Sequence, residues 1–93
     1  MKYDIEFLNG LLVKLREYCT KTYGDSSDEQ LLNWVDQQEL TTQGGYRALE
    51  EYCTSVDRKD LMKIFEDCMW YEFDDYMCEL SEQLVERMNY EVL

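Results

Sequence analysis

Five carboxylates, Glu72, Asp75, Glu79, Glu82 and Glu86, recur at intervals of three, four, three and four residues. On an α-helix that spacing lines them up in one continuous row about 20 Å long, at 1.5 Å rise per residue. Glu66, Asp67 and Asp74 fall beside the row, so the stretch from Ile64 to Glu86 holds eight acids and no base. Like charges so placed cost a few tenths of a kcal/mol per pair. A helix selected for stability alone would interleave Lys or Arg, yet here only Arg87 is near, at the far end. Regular carboxylates on a stiff scaffold can occupy a groove whose Lys and Arg residues otherwise hold phosphates. Trp70, Tyr71, Phe73 and Tyr76 are interleaved with the acids, and Trp or Tyr at such a surface can anchor a protein interface. The competing reading is a solvated acidic face over core aromatics.

Other chemistry fares worse. The chain has no His, so there is no Ser-His or Cys-His nucleophile pair. Neither a GxxxxGK loop nor a GxGxxG turn is present. With 21 acids in 93 residues, carboxylate pairs arise by chance and do not argue for catalysis. Cys19, Cys53, Cys68 and Cys78 are separated by 34, 15 and 10 residues, with no CxxC pair. They read as free, mostly structural thiols rather than a disulfide framework or a zinc site. The segment Asp25–Glu29 lacks the central Gly and terminal Glu of an EF-hand loop. The expectation is a non-enzyme with no metal and no cofactor.

Net charge is −12, with 9 bases against 21 acids. That charge disfavours direct contact with nucleic acid or with an anionic membrane and favours a basic protein partner. The acidity is uneven: residues 1–24 carry a net +1, residues 25–56 a net −6 and residues 57–93 a net −7. No apolar run reaches the length of a membrane span and no signal peptide is visible, so a cytoplasmic location is expected. At 45% hydrophobic and 14% aromatic residues, the chain can build one core, and residues 1–93 are read as a single acidic helical domain.

The elements that must carry the carboxylate row are mainly helical: a small bundle of four or five helices. Tyr23–Ser27 and Thr41–Gly45 punctuate the chain. Between them, Ser27 followed by Asp28, Glu29 and Gln30 forms a capping-box pattern, opening a helix near 28–39 with Leu31, Leu32, Trp34, Val35 and Gln38 toward one side. A second helix follows Gly45, and Asp57 is placed to cap the next one from Arg58. From there no Gly or Pro intervenes to Leu93. Yet Leu61, Ile64, Phe65 and Cys68 face one way, while Met69, Phe73, Tyr76, Met77, Leu80, Leu84 and Met88 gather on the other side. A break near Trp70–Asp74, with Asp74 as a new cap, resolves the conflict.

Residues 3–19 fit two patterns. Ile5, Leu8, Leu12, Leu15 and Cys19 have helical spacing behind Asp4, whereas Tyr3, Ile5 and Phe7 alternate ahead of Asn9-Gly10, a hairpin signal. The segments Leu15–Thr20 and Leu49–Thr54 match at five of six positions, 34 residues apart, with Gly10 and Gly44 also aligned. The second copy reads as helix, which favours helix for the first, although a short N-terminal β-hairpin stays open. The interval resembles a tetratricopeptide period but lacks that repeat's Trp, Ala and Pro positions, and no repeat architecture is inferred. The expected core is Leu8, Leu12, Leu15, Leu31, Trp34, Val35, Leu49, Leu61, Ile64, Phe65, Leu80 and Leu84.

In composition alone, a small, acidic, Tyr-rich chain without His or Pro resembles the inhibitors that phages and mobile elements direct against host nucleases. That likeness assigns no residue. The leading expectation is a stoichiometric inhibitor that meets a basic nuclease or other nucleic-acid-binding protein through a DNA-mimicking surface. Its partner-binding residues are Glu66, Asp67, Trp70, Tyr71, Glu72, Asp74, Asp75, Glu79, Glu82 and Glu86. The alternative is a helical adaptor docking through apolar and aromatic surface. A homodimer that buries the row against basic residues of a second copy is compatible with the same residues.

Overall fold

The computed structural model describes residues 2–24, 27–36 and 39–92. Among them are five α-helices and a 3-10 turn, with no strand: α1 (Ile5–Tyr23), α2 (Asp28–Asp36), the turn Glu39–Thr41, α3 (Gln43–Ser55), α4 (Lys59–Asp67) and α5 (Trp70–Val92). The chain is a small helical bundle, and the hairpin alternative gives way to α1. The Asp4 carboxylate accepts the Phe7 N–H at 2.7 Å. At the other end Gly24 adopts a left-handed φ of 71° and returns its N–H to the Thr20 carbonyl, as a helix stop requires. Ser27 caps α2 as its sequence pattern predicts, its hydroxyl accepting the Gln30 N–H at 3.2 Å. Gln38, expected on the inner side of α2, lies outside the described residues.

Gly10, half of the hairpin signal, sits in the middle of α1 for a tertiary reason. Its bare Cα faces the Tyr52 hydroxyl of α3, so an added Cβ would overlap that ring. Gly44 on α3 faces the Tyr18 hydroxyl of α1 in the same way. The two helices therefore run antiparallel and exchange equivalent contacts: each lends a tyrosine to the other's glycine. The five-of-six match is the sequence trace of that exchange. Leu15 and Leu49, and Cys19 and Cys53, are all fully buried. Thr20 and Thr54 each donate their hydroxyl to the carbonyl four residues back, both at 2.9 Å. The Tyr52 hydroxyl also donates to the Phe7 carbonyl at 2.9 Å, and its ring packs on Phe7; Tyr18 packs on Trp34.

Several boundaries differ from the sequence expectation. α3 begins at Gln43 rather than after Gly45, because the Thr42 hydroxyl accepts the Gly45 N–H and both glycines enter the first turn. Asp57 does not cap α4. With φ 57° it occupies the left-handed position that ends α3, where Arg58 N–H bonds to Cys53 O at 2.7 Å and Asp57 N–H to Thr54 O at 3.3 Å, the pair of bonds of a Schellman motif. The break between α4 and α5 falls at Cys68–Met69, slightly before the expected position. Asp74 lies inside α5, and the Met69 carbonyl accepts the Phe73 N–H as the helix starts.

The expected core residues are buried except Ile64, which is 38% exposed. On α4 the inward face is Leu61, Met62 and Phe65, and Ile64 lies off its edge. Ile5 likewise stands 58% exposed, because α1 turns Phe7 and Leu11 inward instead. Tyr3, Leu40, Tyr52, Met77 and Met88 complete a core that draws on all five helices.

Gly10→Ala is expected to destabilise the fold by up to about 2 kcal/mol in a urea titration: overpacking against Tyr52 costs about 1–3 kcal/mol, offset by about 1 kcal/mol of helix propensity gained. Asp57→Gly should instead raise stability by up to about 1 kcal/mol, a few degrees in Tm, since glycine enters the left-handed region without strain.

Candidate partner-binding surface

The carboxylate row needs one straight helix that is buried on one side only, and α5 meets that need through its core contacts and three polar tethers. Met77, Leu80 and Leu84 are fully buried and Met88 nearly so. Ser81, a buried polar residue, donates its hydroxyl to the Val35 carbonyl at 2.6 Å, satisfying a group in the last turn of α2. The Tyr3 N–H donates to Gln83 Oε1 at 2.9 Å, and Arg87 Nε donates to Asn9 Oδ1 at 2.9 Å, fastening the helix to α1 and the residues before it. These bonds span 46, 80 and 78 residues of chain.

With the helix so held, Asp75, Glu82 and Glu86 are exposed, and Glu72 and Glu79 half-exposed. Glu86 stands between two grooves, and Glu82 borders one of them. On one side lies a groove of about 450 Å³ lined by Asp36, Cys78, Ser81, Glu82, Val85, Glu86 and Asn89. On the other lies one of about 600 Å³ lined by Lys2, Tyr3, Ile5, Leu8, Gln83, Glu86 and Arg87. Glu86 belongs to both. The far end of the row is thus tempered by Lys2 as well as Arg87, while Asp36 adds a carboxylate to the opposite groove. Sequence spacing reveals none of these neighbours, which reach α5 only through tertiary packing.

Glu66, Asp67 and Asp74 are exposed beside the start of α5. There Trp70 is 77% exposed and Tyr71 53%, their rings perpendicular with centroids 5.9 Å apart. Phe73 and Tyr76, interleaved with the acids in sequence, turn inward instead, packing on Tyr46 and Phe65. Met69, which precedes them in the chain, is 58% exposed, and Ile64 on α4 is 38% exposed. Elsewhere Lys14 pairs with Glu51 at 2.9 Å, Arg16 with Asp28 and Arg58 with Asp60. Arg58 also lies over the Phe7 ring.

The four thiols are unbridged, Cys19 and Cys53 buried and Cys68 and Cys78 half-buried. Burial pushes the Cys53 thiol up to about 11, the wrong direction for a nucleophile. Among the described residues no group of acids and thiols has the geometry to hold a metal ion, and no helix is long and apolar enough to cross a membrane. No protein-family model matches the sequence, and neither the curated proteins nor the solved structures yield a match.

Tyr3 lies under the row. Its hydroxyl is buried without a hydrogen-bond partner among the described residues, and burial, with Glu79 adding to it, raises its pKa to about 12. For both Tyr3 and Cys53 the neutral, protonated form is the one the fold prefers. Their contribution is therefore complete below their unfolded values and is lost as pH climbs from about 9 to about 12, by up to about 2–3 kcal/mol each. Unfolding followed by circular dichroism should show this alkaline loss, and Tyr3→Phe should shrink it. At neutral pH that variant should be neutral or stabilising by about 1 kcal/mol, since it removes an unbonded buried hydroxyl.

Proposed function

We propose that the protein is a stoichiometric inhibitor that blocks a basic nuclease or other nucleic-acid-binding protein by presenting the α5 carboxylate row in place of nucleic-acid phosphates. One observation carries this reading: a carboxylate row free of interleaved bases from Ile64 to Glu86, with Asp75, Glu82 and Glu86 exposed and Glu72 and Glu79 half-exposed, on a helix whose opposite side is buried. Successive acids are separated by about 5 Å along the axis. That is sparser than the one charge per about 3.4 Å of a nucleic-acid strand, but a row of cationic side chains can still engage it. Glu86 between two grooves also has the relief needed to enter a basic cleft. No base is interleaved with the acids between Ile64 and Glu86, and such a concentration of negative charge would raise the association rate with a cationic partner. Phages and mobile elements that face host defence nucleases are the setting in which such an inhibitor has a use.

A second reading rests on Trp70. An indole 77% exposed beside Tyr71 and Met69 suits a helical adaptor that docks through apolar surface, with the acidity incidental. Salt separates the two, because screening weakens a charge-driven contact and spares an apolar one.

The test is capture of partners by the tagged protein from a host lysate, at about 50 mM and about 500 mM salt, with and without added DNA. Under the inhibitor reading the partner binds nucleic acid, is displaced by DNA and is lost about tenfold or more at the higher salt. The double reversal Glu82→Lys/Glu86→Lys should abolish capture, while Glu17→Lys/Glu50→Lys, equal in net charge, should not. Equal losses from the two would make the effect one of bulk charge. Retention at high salt with indifference to DNA would establish the adaptor instead.

A further inference from the structure

Among the described core residues, Tyr3 alone lies outside every helix and the 3-10 turn. Two attachments hold it against the bundle. Its N–H donates to Gln83 Oε1 at 2.9 Å, and its ring stacks on Phe7 with centroids 5.4 Å apart. The charged and titratable groups that act on its hydroxyl are Glu79 and Tyr76 of α5, Cys53 of α3, and Arg58. The side chain therefore runs along α5 from the level of Gln83 toward the helix start, and inward to α3. This anchor is apolar with one polar flaw: the hydroxyl is buried and finds no hydrogen-bond partner among the described residues. A buried hydroxyl left unbonded opposes its own burial, and swinging outward returns it to water.

The next residue is held separately. The Asp4 carboxylate accepts the Phe7 N–H at 2.7 Å and its carbonyl accepts the Leu8 N–H at 3.1 Å. Both bonds belong to α1, so the first turn of that helix survives when residue 3 leaves α5. Asp4 is thus a pivot, with a capped helix on one side and a lightly held segment on the other. Lys2 and Tyr3 also wall the groove of about 600 Å³ that runs between Ile5 and Leu8 of α1 and Gln83 and Arg87 of α5. Removing that wall joins the groove to the space the Tyr3 ring fills against Phe7. We infer that residues 2 and 3 form a strap that opens about Asp4 while the five helices stay folded, and that this opening is the route by which solvent and small molecules reach Phe7 and Cys53. The unbonded hydroxyl sets how often it opens. Segments held by few contacts open at a fraction of the global unfolding free energy, and one hydrogen bond and one ring make a light latch.

Amide hydrogen exchange of the full chain, resolved by NMR, tests the strap. After correction for intrinsic rates, the Tyr3 N–H should exchange at least about thirtyfold faster than the mid-helix amides of Leu15 and Leu80, and respond less to added urea, as local opening requires. Tyr3→Phe should slow exchange at residue 3 about tenfold, because the closed state then buries no unbonded hydroxyl. Labelling by N-ethylmaleimide, located by peptide mass spectrometry, should reach Cys53 at least about tenfold faster than Cys19, although both thiols are fully buried. Exchange of the Tyr3 N–H at the mid-helix rate, with the mid-helix urea dependence, would overturn the strap. An unchanged rate in Tyr3→Phe would overturn the role of the hydroxyl, and equal labelling of Cys53 and Cys19 would overturn the route inward.

Discussion

The bundle is organised by the close approach of α1 and α3, and that approach depends on two absent side chains. Gly10 and Gly44 leave room for the hydroxyl ends of Tyr52 and Tyr18, which a Cβ at either position would have to displace. A glycine inside a helix costs about 1 kcal/mol against alanine. The same glycine, leucine, tyrosine, cysteine and threonine positions recur on both helices. The result is a tight pair onto which α2, α4 and α5 pack, with Tyr52 tying the pair together through the Phe7 carbonyl.

The charged surface follows from that scaffold at one remove. α5 concentrates acids on one side, an arrangement that costs its own helix a few tenths of a kcal/mol per pair. Apolar residues, Ser81, Gln83 and Arg87 hold the opposite side and the flanks against α1 and α2. Stability and charge are thereby assigned to different faces of one helix, and the outward face is free to be shaped for a partner. The mutual repulsion of its carboxylates is borne by packing elsewhere.

The exposed aromatics belong to the same division of labour. α4 and α5 bury different faces, and the chain breaks at Cys68–Met69 to allow both. The residues around that break cannot all reach the core, so Ile64, Met69, Trp70 and Tyr71 remain at the surface. A fold could hide such a junction with small polar residues. Two large rings are exposed here instead, followed in sequence by Glu72, Asp74 and Asp75.

What the sequence determined by itself is local. Helical class, the caps at Asp4 and Ser27, the stop at Gly24 and the carboxylate row depend on neighbours within a turn or two, where residue type and spacing suffice. The need for a break before α5 was also legible, because two opposed apolar faces cannot belong to one straight buried helix. The role of Gly10 was not, since as a local signal it reads as a hairpin and only Tyr52, 42 residues away, explains it. Asp57 has the composition of a cap for the following helix but serves as the left-handed end of the preceding one. Nor could spacing assign the exposure of Ile64 and Trp70, the placement of Lys2 and Asp36 beside the row, or the two grooves beside Glu86. Each depends on which helix faces which, and that choice is made by side-chain packing between segments distant in the chain.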